Sequence, residues 1–240
     1  MGIIFFVIIC LLNAVKNVQK QNEREIKRTN NKVFKKPPTR NNAKEEISKF
    51  LKVKTKTKII VFDIETNGLD KNYSVLSCSA IKYEIDPNTF QMTELERFSR
   101  YYYPIEKFEK DAIAKNRLTK EEITKRRNNA TYPEYFIQDI GFFNFCQGVS
   151  RFVSHNIDFD LKFLPFLNNK KKFCTMKINT DIIAVKLLDW KKEYKYPTLA
   201  ETATFYNVQF NEIYLHDSMV DTEIVAKVFE KMLEKAKQSY

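Results

Sequence analysis

The stretch that most restricts how this chain can fold is Lys58 to Leu69, "KIIVFDIETNGL". Ile59-Ile60-Val61-Phe62 is an apolar run of the length and type of a buried strand. Side chains alternate along a strand, so Ile59, Val61, Asp63 and Glu65 share one face. Two carboxylates on a mostly apolar face repel each other and are poorly solvated. Either the strand ends at Phe62 and both acids reach water, or something offsets their repulsion. A bound divalent cation is the simplest such agent. The chain has only 4 Gly residues, and one of them, Gly68, follows the pair closely. It is expected to meet a backbone requirement.

Charge divides the chain. Residues 16–58 carry 15 Lys/Arg and 4 Asp/Glu, leaving 26 of each sign for residues 59–240. The net charge of +11 therefore belongs to the N-terminal quarter. This distribution excludes a uniformly basic nucleic-acid-binding domain and implies a neutral domain with a basic attachment. Residues 2–15, "GIIFFVIICLLNAV", are strongly apolar. As a helix they would reach about 21 Å, short of the roughly 30 Å hydrocarbon core of a bilayer. Residues 1–15 are read as an uncleaved hydrophobic membrane anchor, with a cleaved signal or an amphipathic cap as the alternatives. Residues 16–57 are read as a basic linker, flexible or partly helical. It could face anionic head groups or nucleic acid. The basic run after the anchor places the remaining domain, residues 58–240, in the cytoplasm. The cysteines, Cys10, Cys78, Cys146 and Cys174, form no CxxC pair. They are read as reduced, the last three as small core hydrophobes.

Residues 58–66, 75–85 and 95–103 read as strands, with the turn signal "DPNT" between the last two. Helices are expected at 119–127, 132–147, 158–167, 178–188, 198–206 and 219–237, and further strands at 151–156 and 173–176. Three consecutive strands followed by alternating helix and strand imply an α/β sheet with an antiparallel meander at its start.

Two more acids fall in conspicuous places. From Asp221 the positions at helical spacing are Ile224, Val225, Val228, Phe229 and Met232, an apolar stripe whose inward end is an acid. From Asp160 they are Phe163, Leu164 and Leu167. Acids are favoured in a first turn by the helix dipole, and Asp158 could be an N-cap, so one such Asp means little. Two of them with the Asp63/Glu65 pair make four carboxylates expected to face the buried side. Oxygen-only ligands of this kind suit Mg²⁺ or Mn²⁺ rather than zinc. The chain's 2 histidines, His155 and His216, each stand five residues before one of these acids. His216 is the favoured general base, while His155 could instead shape a turn.

At this point the residues resemble the DEDDh 3'–5' exonucleases of the ribonuclease H-like fold. Their three motifs are matched in order by "FDIETNGL", "HNIDFD" and "HDSMVD", and the resemblance covers about residues 58–235. It implies a ribonuclease H-like mixed sheet flanked by helices. It also implies two metal ions held by Asp63, Glu65, Asp160 and Asp221, with His216 taking the proton of the attacking water. By the same resemblance Thr66, Gly68 and Leu69, with His155, Asn156 and Phe159, would contact the substrate. Family members commonly carry Thr or Ala where Asn67 stands, a departure expected to touch substrate contacts only. The implied partner is a nucleic-acid 3' end, single-stranded or frayed, with DNA favoured. RNA trimming on the same site and a non-catalytic, membrane-tethered binding module are the alternatives. A polymerase or other protein partner is left open.

Overall fold

A computed structural model describes residues 43–188 and 193–238 of the chain. The expected anchor at 1–15, Cys10 and the greater part of the basic segment lie outside them. No helix among the described residues is long and apolar enough to cross a membrane.

The sheet has five strands, β1 (Thr57–Thr66), β2 (Val75–Ile85), β3 (Met92–Tyr101), β4 (Arg151–Ser154) and β5 (Lys171–Cys174), in the order β3-β2-β1-β4-β5. The first three form the expected antiparallel meander, and β4 and β5 run parallel to β1. Alternation along β1 divides the interior into two layers. Ile59 and Val61 pack into one, with Val225, Val228 and Phe229. Ile60, Phe62 and Ile64 pack into the other, with Phe98, Phe142 and Phe152. Asp63 and Glu65 continue the first face.

The helices are α1 (Ala43–Phe50), α2 (Lys110–Asn116), α3 (Lys120–Arg126), α4 (Gly141–Phe145), α5 (Ile157–Asp160), α6 (Thr175–Ile183), α7 (Leu199–Phe205) and α8 (Ser218–Gln238). Two short strands, β6 (Leu187–Leu188) and β7 (Glu193–Tyr194), pair outside the main sheet. Helix α8 lays its stripe on β1 and β2 as its spacing requires.

Several expectations need correction. The domain does not begin at residue 58, and the linker does not extend to 57. Helix α1 buries Ile47, Phe50 and Leu51 in the first layer, and the Arg151 guanidinium donates to the Phe50 carbonyl at 2.8 Å. Its few apolar residues are hidden among lysines in the sequence, which is why the stretch reads as a linker. The helix expected at 132–147 is broken into a 3-10 turn, Phe136–Gln138, and the short α4. Asp139 lies between them and takes Arg100 of β3 and Tyr102, the residue after that strand, as partners, so its segment is pinned to the sheet. The helix expected at 158–167 lasts one turn. Pro165 lacks an N–H and opens a 3-10 turn there, although Leu164 and Leu167 are buried as expected. The helix expected at 178–188 begins at Thr175 instead and closes at Ala184, whose backbone is left-handed. Cys78, Cys146 and Cys174 are free and buried.

The Phe50 ring sits 5.3 Å from that of Phe173 and 6.0 Å from that of Phe229. Phe50→Ala is expected to destabilise the domain by about 3–5 kcal/mol. Denaturant unfolding of the variant beside the parent checks this, and a loss under about 1 kcal/mol would remove α1 from the core.

Candidate active site

Strand β1 carries Asp63 and Glu65 opposite Ser79 and Ser77 of β2. The start of α8 is pinned above this pairing. The Ser218 hydroxyl lies 2.8 Å from that of Ser79, and Thr222 donates to the Ser79 carbonyl at 3.2 Å. This register aims Asp221, only 6% exposed, at the β1 acids. Asp217 caps the helix, its Oδ1 accepting from the backbone N–H groups of Met219 and Val220. Asp160 comes from the single turn after β4. It is 2% exposed, and its Oδ2 accepts from the Ser154 hydroxyl at 2.7 Å.

Ligand atoms of Glu65, His216 and Asp221 lie within 4.8 Å of one another. Asp160 stands close enough to raise the Glu65 pKa, and Asp221, Glu65 and Asp160 all raise that of Asp63. Buried oxygens of Asp63 (Oδ2) and Asp221 (Oδ1) have no hydrogen-bond partner. Such atoms are costly unless something fills their lone pairs. The carboxylate oxygens of this set fit a hard divalent cation, with the His216 imidazole beside them.

Burial is the largest cause of the acids' raised pKa values. Glu65 is pushed to about 8, with Asp221 adding repulsion. Asp160 is raised to about 8 and Asp221 to about 7, the latter also by Asp217. Asp63 rises well above the usual range through burial, then Asp221 and Glu65. Lys115, in the last turn of α2, pulls Asp63, Glu65 and Asp221 back down. Burial lowers the His216 pKa, and Lys115 and Arg117 lower it further, which favours the neutral ring.

His216 has a left-handed backbone, φ 66°, which is uncommon for a residue other than Gly, and its N–H donates to Asp221 Oδ2 at 3.2 Å. Two arginines hold this loop. Arg117 donates to the carbonyls of Ile213 and Leu215. Arg126 Nη1 reaches Asp217 Oδ2 at 2.8 Å and the Tyr101 hydroxyl at 2.9 Å. Sequence reading missed Lys115, Arg117 and Arg126, because nothing local marks a lysine or arginine for a partner about ninety residues away.

The six expected substrate contacts divide. Leu69 is 75% exposed at the tip of its loop, and Lys162 holds its carbonyl at 3.2 Å. Phe159 is half-buried against Phe163, and Asn156, left-handed and exposed, carries the turn before α5. The Thr66 hydroxyl donates to the Gly68 carbonyl at 2.6 Å. Gly68 meets a spatial requirement, since a Cβ there would overlap the Tyr73 ring. His155 stands apart. Its Nε2 donates to the Pro197 carbonyl at 3.1 Å, its Nδ1 pairs with the Thr175 hydroxyl at 3.0 Å, and burial lowers its pKa to about 4. It is a neutral strut with both ring nitrogens engaged. Asn67 is also a strut: fully buried, it donates to Glu106 and to the Lys107 carbonyl and accepts from the Glu109 N–H. The departure at this position therefore bears on the fixing of the loop, not on an exposed contact surface. Asp158, read as a possible cap, instead pairs with Lys177.

The sequence model of the family described as exonuclease, of the RNase T type, matches residues 60–229. The chain belongs to this exonuclease family. Its DEDDh-type character and ribonuclease H-like fold agree with the acids and sheet order above. As a member of the family it is a nuclease acting on nucleic acid. Among solved structures, this exonuclease is similar to Exonuclease X in complex with 5' overhanging duplex DNA, at 18% identity and a TM-score of 0.48 over 76% of this chain and 92% of that one. It is also similar to E. coli Exonuclease I in complex with a dA16 oligonucleotide, at 12% identity and a TM-score of 0.47 over 76% of this chain and 42% of that one. It thus spans nearly all of the first and less than half of the second. No curated protein matches it.

The raised carboxylates set a pH dependence. Between the ordinary carboxylate range near pH 4 and the folded values of about 7 to 8, the folded exonuclease holds protons that the unfolded chain has released. The cluster's contribution to stability is complete below that window and lost as pH rises through it. In chelator, the melting temperature should fall by a few degrees from about pH 5 to about pH 8. Asp221→Asn should flatten that fall, and Mg²⁺ or Mn²⁺ should offset it most at the upper end. Differential scanning calorimetry across this range decides. A metal-free protein whose stability rises with pH, in parallel with Asp221→Asn, would contradict the assignment.

Proposed function

We propose that this protein is a metal-dependent 3'–5' exonuclease that releases nucleoside monophosphates from single-stranded or frayed ends, with DNA as the favoured substrate. The observation that carries this reading is the pair of unpartnered buried oxygens on Asp63 and Asp221, beside Glu65 and His216. Asp63, Glu65, Asp160 and Asp221 would hold two Mg²⁺ or Mn²⁺ ions. When bound, these supply charge stabilisation for the attacking and leaving oxygens of the phosphodiester.

The chain's own groups do the rest. His216, kept neutral by its surroundings, accepts the proton of the attacking water at a ring nitrogen. Arg117 and Arg126 keep that ring in place by fixing the 213–217 loop. Leu69, held out by the rigid 66–69 turn, packs on the base of the terminal nucleotide, and Phe159 lies beneath. The complete set of four acids and His216 weighs against a non-catalytic module.

A 5'-labelled oligonucleotide of one sequence, as DNA and as RNA, tests the reading with and without divalent metal. The expected result is a ladder shortening from the 3' end, faster on DNA and absent in Asp63→Ala. His216→Asn accepts a left-handed backbone readily, so it separates chemistry from folding. It should lower turnover about 10²–10⁴-fold with its melting temperature kept. Unchanged turnover would reject the base. Arg126→Ala should lower kcat while leaving KM in place, and an effect on KM alone would deny it a positioning role.

A further inference from the structure

The three sequence motifs supply the four acids and His216, and none of them contains a cation. The structure brings one from elsewhere. Lys115 lies in the last turn of α2, beside two residues whose side chains reach different parts of the site. Asn116 is buried and donates to the carbonyl of Thr66, the residue after Glu65 on β1, at 3.2 Å. Arg117 has a left-handed backbone and donates to the carbonyls of Ile213 and Leu215, in the loop that leads into His216. The approach to α2 is fixed as well. Asn67 donates to the Lys107 carbonyl at 2.8 Å and accepts from the Glu109 N–H at 3.0 Å. The helix is thus tied to the site at both ends, and Lys115 is carried with it.

The surroundings of the cluster say on which side Lys115 stands. Strand β2 and the start of α8 close one side, through Ser79, Ser218 and Thr222. The turn after β4 brings Asp160, itself buried. Lys115 is exposed, yet its charge acts on Asp63, Glu65, Asp221 and His216. A cation that lies in water and is felt by all four stands at the open side, where a phosphate must enter.

Its ammonium is also uncommitted. Among the described residues Lys115 has no ion pair and no side-chain hydrogen bond. Arg117 is held by its two carbonyls, and Arg126 by Asp217 and Tyr101. A lysine ammonium is a compact point charge on a flexible stem, so it can follow a phosphate oxygen as charge builds on it.

We infer that Lys115 is a further catalytic residue, which donates to a non-bridging oxygen of the scissile phosphate and stabilises the negative charge that develops there. The inference rests on the exonuclease reading. The ammonium keeps its proton throughout. The water oxygen bonds to phosphorus and gives its proton to His216, the bond from phosphorus to the 3' oxygen breaks, and that oxygen takes a proton from solvent.

The test uses the full chain. Lys115→Met keeps an apolar stem and removes the ammonium at an exposed position, so the melting temperature should be kept. With Mg²⁺ and a single-stranded oligonucleotide, kcat should fall about 10–100-fold with KM little changed. Lys115→Arg should recover part of that loss. Lys120→Met removes an equally exposed charge from α3 and should leave both constants in place. An effect on KM alone, or an equal effect of Lys120→Met, would reduce Lys115 to general attraction for the strand and overturn the inference. A second measurement needs no turnover. In an NMR titration with Ca²⁺ present, thymidine 5'-monophosphate should bind Lys115→Met about tenfold more weakly than the parent. Thymidine, which lacks the phosphate, should bind both equally. An unchanged affinity for the monophosphate, or equal losses for the two ligands, would overturn the inference. If the parent cleaves no oligonucleotide with metal present, the exonuclease reading falls by itself, and the titration still judges Lys115. A parent that holds neither ligand would overturn both.

Discussion

Repulsion among clustered carboxylates is the constraint around which this domain is arranged. Asp63, Glu65, Asp160 and Asp221 come from a strand, a one-turn helix and the first turn of a long helix, with Asp160 and Asp221 buried and Asp63 and Glu65 half-buried. Such a cluster would push its elements apart if the rest of the fold did not hold them. The two aromatic and aliphatic layers clamp β1 from either side, and the serine and threonine contacts between β2 and α8 fix where Asp221 falls. The charge that remains is balanced in part by Lys115. The unfilled oxygens left over are the measure of what a cation would relieve.

Around this centre the loops are made rigid by interior polar bonds. The turn that carries Leu69 is tied down through Thr66, Asn67 and Gly68, each by a different device: a hydroxyl bond, a buried amide and a close aromatic neighbour. The loop that carries His216 is held by guanidinium groups on the outside. A side chain offered to the carboxylates from a left-handed backbone needs such support, because its own conformational preference works against the observed position. The positions of the two loops are thus set before any substrate arrives, which lowers the ordering cost of binding.

What was legible in the sequence followed periodicity. The alternation of β1 placed Asp63 and Glu65 on one face, and the stripe of α8 aimed Asp221 inward, because both patterns are local consequences of backbone geometry. The meander followed from the order of elements, and the mixed sheet from the resemblance to the family. What was not legible depended on distant partners. Helix α1 declares itself only through Phe173 and Phe229, which lie far along the chain. The segment before α4 was read as part of one helix over 132–147, whereas the salt bridge from Asp139 to Arg100 of β3 decides otherwise. The histidines looked alike by spacing, and although the sequence favoured His216 as the base, the strut role of His155 follows only from its distant partners Thr175 and Pro197.

The family match begins at residue 60 and ends at 229, whereas the interior does not. Ile47, Phe50 and Leu51 precede the match, and Met232, Leu233 and Ala236 follow it, all within the same layer. The unit recognised by homology is consequently smaller than the unit that folds. A fragment cut at the family limits would carry all four acids and His216 and yet expose an apolar slot beside Phe173 and Phe229. Exposed patches of that kind promote self-association. For this chain, insolubility of such a fragment would report on where it was cut, not on whether the enzyme works.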